Sequence, residues 1–230
     1  PERELAEAKE LAESLGLQHR IIRSNELANP DYANNPSNRC YHCKTELYGL
    51  LNQLAASEAY ATVVDGTNLD DLGDYRPGKQ AASEKGVVSP LVDHGFTKQD
   101  IRDASRAMGL KTADKPAFAC LASRFPYGIK ITPEALLRVE RAEDVLRDLG
   151  FRRLRVRSHE DIARIELDPD DLPQVVEAET RVHIAERLRA LGFQYVTIDL
   201  VGYRQGSLNE SIQRDLDEVI RTIQPVPGIR

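Results

Sequence analysis

The sequence predicts an α/β domain followed by a smaller α+β domain, over residues 1–128 and 129–230. Three observations carry that expectation. In the first part, short apolar runs alternate with segments of helical periodicity, the order that parallel strands joined by crossover helices require. After the turn Arg124-Phe125-Pro126-Tyr127-Gly128 the order becomes helix, strand, strand, helix, strand. The composition, 41% hydrophobic and 30% charged over 230 residues, is that of a chain able to bury a substantial core.

Residues 1–17 carry Leu5, Ala8, Leu11, Ala12 and Leu15 at helical spacing and stop at Gly16, a natural residue just past a helix C-cap. This helix starts at the first residue, without an initiator methionine or a signal-peptide pattern, so the chain is expected to be a fragment with a segment missing upstream. Residues 19–24, HRIIRS, predict a short strand, and residues 25–38 an irregular loop. A helix over 40–58 places Leu47, Leu50, Leu51 and Leu54 on one face. Residues 60–68, YATVVDGTN, predict a buried strand running into a turn. Ligands of parallel sheets sit at the carboxyl ends of strands, which puts Asp65, Gly66, Thr67 and Asn68 where a ligand is expected. A polar loop, the segment 87–96 and a helix over 97–110 follow.

In the second part, a helix over 132–150 has Thr132 as its N-cap and Pro133 at its first position. Residues 151–167 predict two strands around a tight turn near His159-Glu160-Asp161, residues 169–191 a helix, and 193–200 a strand. The phrase LRDLGF at 146–151 recurs as LRALGF at 188–193, and a generic helix stop leading into a strand explains it better than duplication. The tail 223–230 is expected to fray.

Composition also excludes classes. No apolar run approaches the roughly 20 residues that span a bilayer. A net charge of −6 argues against a nucleic-acid binder, which shows basic excess. Three cysteines, an odd number, speak against a disulfide framework and for a reducing, cytoplasmic compartment.

Two of those cysteines form a C-x-x-C, Cys40 and Cys43 in NRCYHCK; the third is Cys120 in ACLASRFPYG. On a helix Cys40 and Cys43 share a face, and Cys43 lines up with Leu47, Leu50 and Leu54. Two small core residues are therefore as good a reading of the pair alone as any function. A structural zinc site wants four ligands, and no second pair or His-x-x-x-His is present. The pair does not follow the first strand of a thioredoxin-like pattern either. Three thiolates do suit a [4Fe–4S] cluster with one iron open.

Arginines supply the remaining candidates. Ser123 and Arg124 follow Cys120 closely, so that Arg124 could lower the thiol pKa or grip an anion; a plain interdomain turn is the alternative. Arg155 and Arg157 alternate on a strand, with His159 continuing the row. With Leu154 and Val156 turned to the core, these arginines are expected to face outward, toward solvent, an anionic ligand or a subunit interface.

Taken together, NRCYHCK, VVDGTNLDDLGDYRPG, ACLASRFPYG, LRVRSHEDIARIEL and YVTIDLVGYRQGSLNE cover nearly the whole chain in order. They resemble the LarE-like sulfur transferases that help build the nickel-pincer cofactor of lactate racemase, members of the PP-loop ATP pyrophosphatase superfamily. The resemblance implies a Rossmann-like PP-loop nucleotide domain, here truncated at its N-terminus, ahead of a small α+β domain for substrate binding and oligomerisation. It implies ATP, with magnesium, as the reagent that adenylates a carboxylate of a pyridinium biscarboxylate mononucleotide, after which sulfur displaces AMP. One branch of the family sacrifices the sulfur of a single cysteine; the branch with three cysteines looks to bind a [4Fe–4S] cluster. This sequence matches the second branch, which makes Cys40, Cys43 and Cys120 both catalytic residues and cluster ligands.

Carried over by motif, Ser123, Arg124, Arg155 and Arg157 bind the substrate phosphate and carboxylates, with Glu143 and Glu166 acidic residues of the same site. Asp171 is a weaker match, because the spacing after Glu166 departs from the pattern. Asp65, Gly66, Thr67 and Asn68 sit at the adenylate pocket, and Lys44 and Arg76 reach nucleotide phosphates. The expected partners are the small mononucleotide and a sulfur donor, with no membrane and no nucleic acid, in a homo-oligomer. One departure stands out: the S-G-G-x-D-S loop that cradles pyrophosphate is absent. It is expected about fifty residues upstream, the size of a strand–helix–strand segment, and the fragment is expected not to turn over ATP. A tRNA thiolase of the same superfamily and a noncatalytic nucleotide-binding or assembly module are the rival readings, the first disfavoured by the acidic charge balance.

Overall fold

The computed structural model describes residues 1–73, 77–116, 118–204 and 206–209. They mix helices with one small sheet, and the chain divides into two compact units. The first comprises Pro1–Ala119 and Tyr127–Pro133, the second Cys120–Pro126 and Glu134 onward.

The first unit is mainly helical. Helix α1 (Glu2–Ser14) ends where glycine is needed: Gly16 has φ +62°, and its N–H and that of Leu17 return to the carbonyls of Glu13 and Ala12. This is a Schellman stop. Of the apolar stripe of α1 only Ala12 is buried. A short helix α2 (Pro30–Ala33), capped by the Asn29 side chain, leads into α3 (Arg39–Ser57). Helix α4 (Gly78–Glu84) packs on α3 around Tyr48, Ala81 and Ala82. The approach is close at Gly78, where a Cβ would stand 2.9 Å from Lys44 Cγ. After α5 (Pro90–Asp93), helix α6 (Lys98–Ala107) opens on a capping box between Thr97 and Asp100, as its sequence signature requires.

The strands expected in this unit are not formed. Residues 19–24 are irregular, with Ile21 53% and Ile22 37% exposed, and the segment 60–68 contributes a single parallel bridge, Val64 to Val88. A β-favouring run becomes a strand only where a neighbour accepts its backbone hydrogen bonds. Among the described residues the first run has no such neighbour and the second has one residue's worth.

The second unit follows its expected order closely. Helix α7 (Pro133–Asp148) begins at its proline and buries Val139, Ala142, Val145 and Leu146. Strands β1 (Leu154–His159) and β2 (Ile162–Leu167) form an antiparallel hairpin whose turn puts Glu160 at φ +53°. The expected long helix divides into a 3₁₀ turn (Pro169–Asp171), α8 (Leu172–Val176) and α9 (Ala178–Ala190), because Pro173 fits only a first helical turn and Glu177 is extended. Strand β3 (Tyr195–Ile198) then pairs parallel with β2, giving the order β1-β2-β3. The repeated LRDLGF and LRALGF are two Schellman stops: Gly150 and Gly192 have φ +96° and +97°, with Phe151 and Phe193 bonded back to Leu146 and Leu188.

One face of the hairpin pairs Leu154 with Leu167, Val156 with Ile165 and Ser158 with Ala163. The opposite face carries Arg155, Arg157, Arg164 and Glu166. The expectation that its arginines look outward fails: Arg155 is 7% and Arg157 3% exposed. Alternation identifies a solvent face only when a sheet is covered on one side, and this hairpin is covered on both.

Candidate functional site

In the second unit the candidate residues converge into one buried ionic network. Arg124, on a 3₁₀ turn (Leu121–Arg124), grips Glu143 of α7 through Nε at 2.7 Å and Nη2 at 3.2 Å. Glu143, fully buried, also accepts Arg147 Nη2 at 2.7 Å and the Val156 N–H of β1 at 3.1 Å. Arg157 binds Glu166 in the same two-pronged manner, at 2.9 and 3.1 Å. Its remaining contacts run to the Ser123 carbonyl and the Ser207 hydroxyl, both at 2.5 Å. Arg164 adds a third donor to Glu166 at 3.1 Å. Such forked pairs satisfy planar guanidinium and carboxylate geometry together, which is what makes burial of the charges tolerable.

Arg155 is different. Its Nη1 donates to the Arg204 carbonyl at 2.8 Å, its Nη2 to the Tyr203 hydroxyl at 3.1 Å, and its guanidinium carbon lies 4.4 Å from the centre of the Tyr203 ring. Burial, and then the neighbouring charges of Arg157 and Arg124, push its pKa below the usual arginine value, while Tyr203 and Glu166 act the other way. The deeply buried set thus holds three guanidiniums, of Arg124, Arg155 and Arg157, and two carboxylates, of Glu143 and Glu166. Among the described residues the positive charge is in excess, and Arg155 carries it.

Cys120 precedes this network as the N-cap residue of the 3₁₀ turn, exposed and with no side-chain capping bond. Arg124 reaches it only through its backbone carbonyl, at 3.4 Å, while Glu143 balances the guanidinium. Asp171, in its 3₁₀ turn, makes no hydrogen bond to the network; burial first, then Asp168 and Asp170, push its carboxyl up.

In the first unit Cys40 and Cys43 stand one turn apart at the start of α3, Cys40 exposed and Cys43 half-buried. None of the three cysteines is in a disulfide. An exposed Cys40 and Cys120 are not the core fillers that small apolar residues would be. Within either unit, the described residues contain no group of three or more His, Cys, Asp or Glu side chains placed to hold a metal ion. The C-x-x-C belongs to the first unit and Cys120 to the second.

The turn after Val64 is organised by Asp65. Its carboxylate accepts the Tyr48 hydroxyl at 2.9 Å, the Ser89 hydroxyl at 2.7 Å, and the N–H and hydroxyl of Thr67 at 3.1 and 2.9 Å. Burial pushes the Asp65 carboxyl up, but these hydrogen bonds together outweigh it and hold the group below its ordinary value. With both oxygens engaged, Asp65 shapes the turn, in which Gly66 is exposed and Thr67 half-buried. Asn68 is buried, its Oδ1 unpartnered, beside Asp71, which pairs with Lys98 at 3.1 Å. Lys44 Nζ lies 5.1 Å from the centre of the Tyr48 ring, so an ammonium accompanies the same side chain that binds Asp65. Arg76 lies outside the described residues.

Sequence reasoning missed Arg147, Arg164, Tyr203 and Ser207 around the arginines, and Tyr48 and Ser89 around Asp65. Arg147 was accessible, since it stands four residues after Glu143 on one helix. Arg164 was accessible too, two residues before Glu166 on the same strand face; Tyr203, Ser207, Tyr48 and Ser89 join their partners from distant segments, where no local pattern announces them.

No family model matches the chain. It is 39% identical over 211 residues to the pyridinium-3,5-bisthiocarboxylic acid mononucleotide synthase of Lactiplantibacillus plantarum, covering 92% of this chain and 76% of that protein. An uncharacterized protein of Synechocystis sp. is 47% identical over 211 residues, 92% of this chain and 79% of the relative. Another, of Methanocaldococcus jannaschii, is 34% identical over 170 residues, 74% and 66% of the two chains.

Proposed function

The chain belongs to the LarE-like family, and from that premise we propose that it is an ATP-dependent sulfur transferase that converts a carboxylate of a pyridinium mononucleotide to a thiocarboxylate in nickel-pincer cofactor biosynthesis. A carboxylate is a poor acyl donor, because it has no good leaving group; adenylation by ATP, with release of pyrophosphate, gives it AMP as a leaving group, and sulfide then displaces AMP.

The observation that carries the proposal is the buried arginine network, in which Arg155 forms no ion pair among the described residues. A guanidinium buried without a carboxylate is costly unless something anionic meets it, and a mononucleotide brings phosphate and carboxylates. Arg155 binds an anionic group of the substrate. Arg124 and Arg157, neutralised by Glu143 and Glu166, hold Ser123 and the Cys120 loop in place beside it. Asp65 fixes the turn at which the adenylate is bound, and Lys44 serves its phosphates. Cys40, Cys43 and Cys120 would hold the [4Fe–4S] cluster, which when bound supplies the sulfur. Among the described residues no helix is long and apolar enough to cross a membrane, as suits a small-molecule enzyme acting in the cytoplasm.

The test uses the natural full-length protein, reconstituted anaerobically with iron and sulfide and given ATP and the mononucleotide. AMP should appear together with a substrate in which one oxygen is exchanged for sulfur. Release of ADP, or AMP without sulfur incorporation, would refute the assignment.

A further inference from the structure

Arg155 has Glu166 directly across the ladder, yet its hydrogen bonds run to neutral oxygens, the Arg204 carbonyl and the Tyr203 hydroxyl. Its guanidinium carbon stands 4.4 Å from the centre of the Tyr203 ring, and that of Arg153, two residues earlier, 5.3 Å from the same ring. A phenol and an aromatic face orient a cation without neutralising it, whereas a carboxylate does both. The phenol is in turn placed by backbone. The Asp199 N–H donates to the Ile165 carbonyl at 2.8 Å, and the Asp199 carbonyl accepts the Gly202 N–H at 3.0 Å. Its carboxylate accepts the Val201 N–H at 2.9 Å and Arg204 Nη1 at 3.3 Å, so that residues 199–204 form one turn beyond β3. Gly202 sits in it at φ +77°, where a Cβ would stand 2.6 Å from the Leu167 carbonyl oxygen at the end of β2. The Tyr203 N–H donates to that same carbonyl at 2.6 Å, and Leu167 is fully buried. Tyr203 is thereby fixed to the core of the second unit. Covering the sheet would require the ring alone; the hydroxyl on Arg155 is what packing does not explain.

We propose that Tyr203 is a positioning residue for substrate binding. Anchored through Gly202 on the Leu167 carbonyl, its hydroxyl and ring keep Arg155 on neutral partners, so that the guanidinium does not close on Glu166 and meets an anionic group of the mononucleotide in one orientation. The bonds to Arg204 and Tyr203 use one N–H on each terminal nitrogen, and a guanidinium carries further donors for a phosphate or a carboxylate. The inference rests on the reading that Arg155 binds the substrate. It adds that Tyr203 acts through Arg155 and not by touching the substrate or by stabilising the fold.

The experiment uses the natural full-length protein, metal-free, and reads the clamp apart from its use. Arginine-selective 15N labelling gives the guanidinium resonances, that of Arg155 being assigned by its loss in Arg155→Met. Protons over an aromatic face resonate upfield: Tyr203→Leu should abolish that shift and Tyr203→Phe should retain it. Calorimetry with the pyridinium biscarboxylate mononucleotide then measures use. Tyr203→Leu should weaken binding about tenfold, through loss of ring and hydroxyl together, and Tyr203→Phe about threefold, through loss of the hydroxyl alone. In an Arg155→Met background each should change affinity by less than about twofold, because a residue acting only through Arg155 has nothing left to act on. An Arg155 resonance without a ring shift, or one that Tyr203→Leu leaves in place, would overturn the proposal. So would a tenfold cost that persists in the Arg155→Met background, the mark of a substrate contact or of a purely structural role. Should Tyr203→Leu fail to fold, Tyr203→Phe in the two backgrounds carries the same comparison. Binding that Arg155→Met leaves intact would refute the reading of Arg155 as the anion contact, while the ring shift decides the clamp on its own.

Discussion

Arg155 stands directly across the β1–β2 ladder from Glu166, yet Glu166 gives both of its oxygens to Arg157. The two arginines of one strand face are therefore unequal. Arg157 is committed to a buried ion pair; Arg155 is held by a carbonyl, a phenol and a ring, with no ion pair among the described residues.

That inequality separates binding from stability. Arg155→Met should weaken binding of the mononucleotide by roughly 1.5–3 kcal/mol, the worth of a charge-assisted hydrogen bond, or about one to two decades in affinity. Added salt should narrow the gap between wild type and variant, because screening weakens the lost attraction. Arg157→Ala should act first on folding, costing on the order of 3 kcal/mol by leaving the buried Glu166 with only the half-exposed Arg164 among its charged partners in the described residues. Calorimetry at two ionic strengths and urea unfolding of both variants measure the two effects. Equal destabilisation by both would remove the distinction.

Glu143 is the corresponding weak point of the Cys120 loop. Glu143→Gln leaves Arg124 and Arg147 without their carboxylate in a fully buried position. A loss of about 3–5 kcal/mol is expected, visible as a lower urea midpoint with an unchanged slope. Arg147→Ala should cost less, because this partner is 12% exposed and Arg124 still holds the carboxylate.

Acid should destabilise the second unit through His159. Burial first, then Arg164 and Arg157, depress its pKa, with Glu166 opposing. A base with a lowered folded pKa binds fewer protons folded than unfolded below its ordinary value near 6.5. Stability should accordingly fall as pH drops below about 6.5 and level off below the folded pKa. His159→Gln should flatten that part of the pH profile of the urea midpoint. A slope unchanged by the substitution would assign the acid sensitivity to other groups.

What the sequence made legible was local. Gly16, Gly150 and Gly192 end their helices, and the hairpin around Glu160 follows from alternation and a turn. The strands at 19–24 and 60–68 were misread because β-propensity at Ile21, Ile22 and Val64 says what a segment would do beside a partner, and not whether one is there. Of the candidate residues, Ser123, Arg124, Glu143, Arg155, Arg157 and Glu166 lie together. Their division of labour was not legible in the sequence. Which arginine a glutamate neutralises depends on diagonal contacts across strands, and sequence spacing does not resolve them.

Asp65 should respond to the loss of its donors in a graded way. Its folded pKa lies below the unfolded value of about 3.9, so its stabilisation is present above that value and lost as pH falls through the folded one. Tyr48→Phe removes one hydrogen bond and should cost about 1 kcal/mol at pH 7, with less of the penalty remaining at low pH, where Asp65 is protonated. Ser89→Ala should do the same. Urea midpoints followed from pH 7 down to acid pH, until Asp65 is protonated in the folded state, test both, and a penalty independent of pH over that whole range would show that the hydroxyls act by packing.

The cysteines allow the last and sharpest prediction. Cys40 and Cys43 begin one helix, Cys120 caps a 3₁₀ turn in the other unit, and none is in a disulfide. If they are three ligands of one cluster, anaerobic reconstitution should give about four irons per chain with an open site. Each of Cys40→Ala, Cys43→Ala and Cys120→Ala should then lose the visible absorbance as completely as the others, because two thiolates do not retain such a cluster. A C-x-x-C acting without Cys120 would give a different pattern, in which Cys120→Ala keeps the bound metal and the other two lose it. Stoichiometric zinc with no iron would refute the cluster outright. Unfolding should be followed on the same three variants in the metal-free state: exposed or half-buried thiols contribute little packing, so midpoints should stay near the wild-type value while iron uptake is lost.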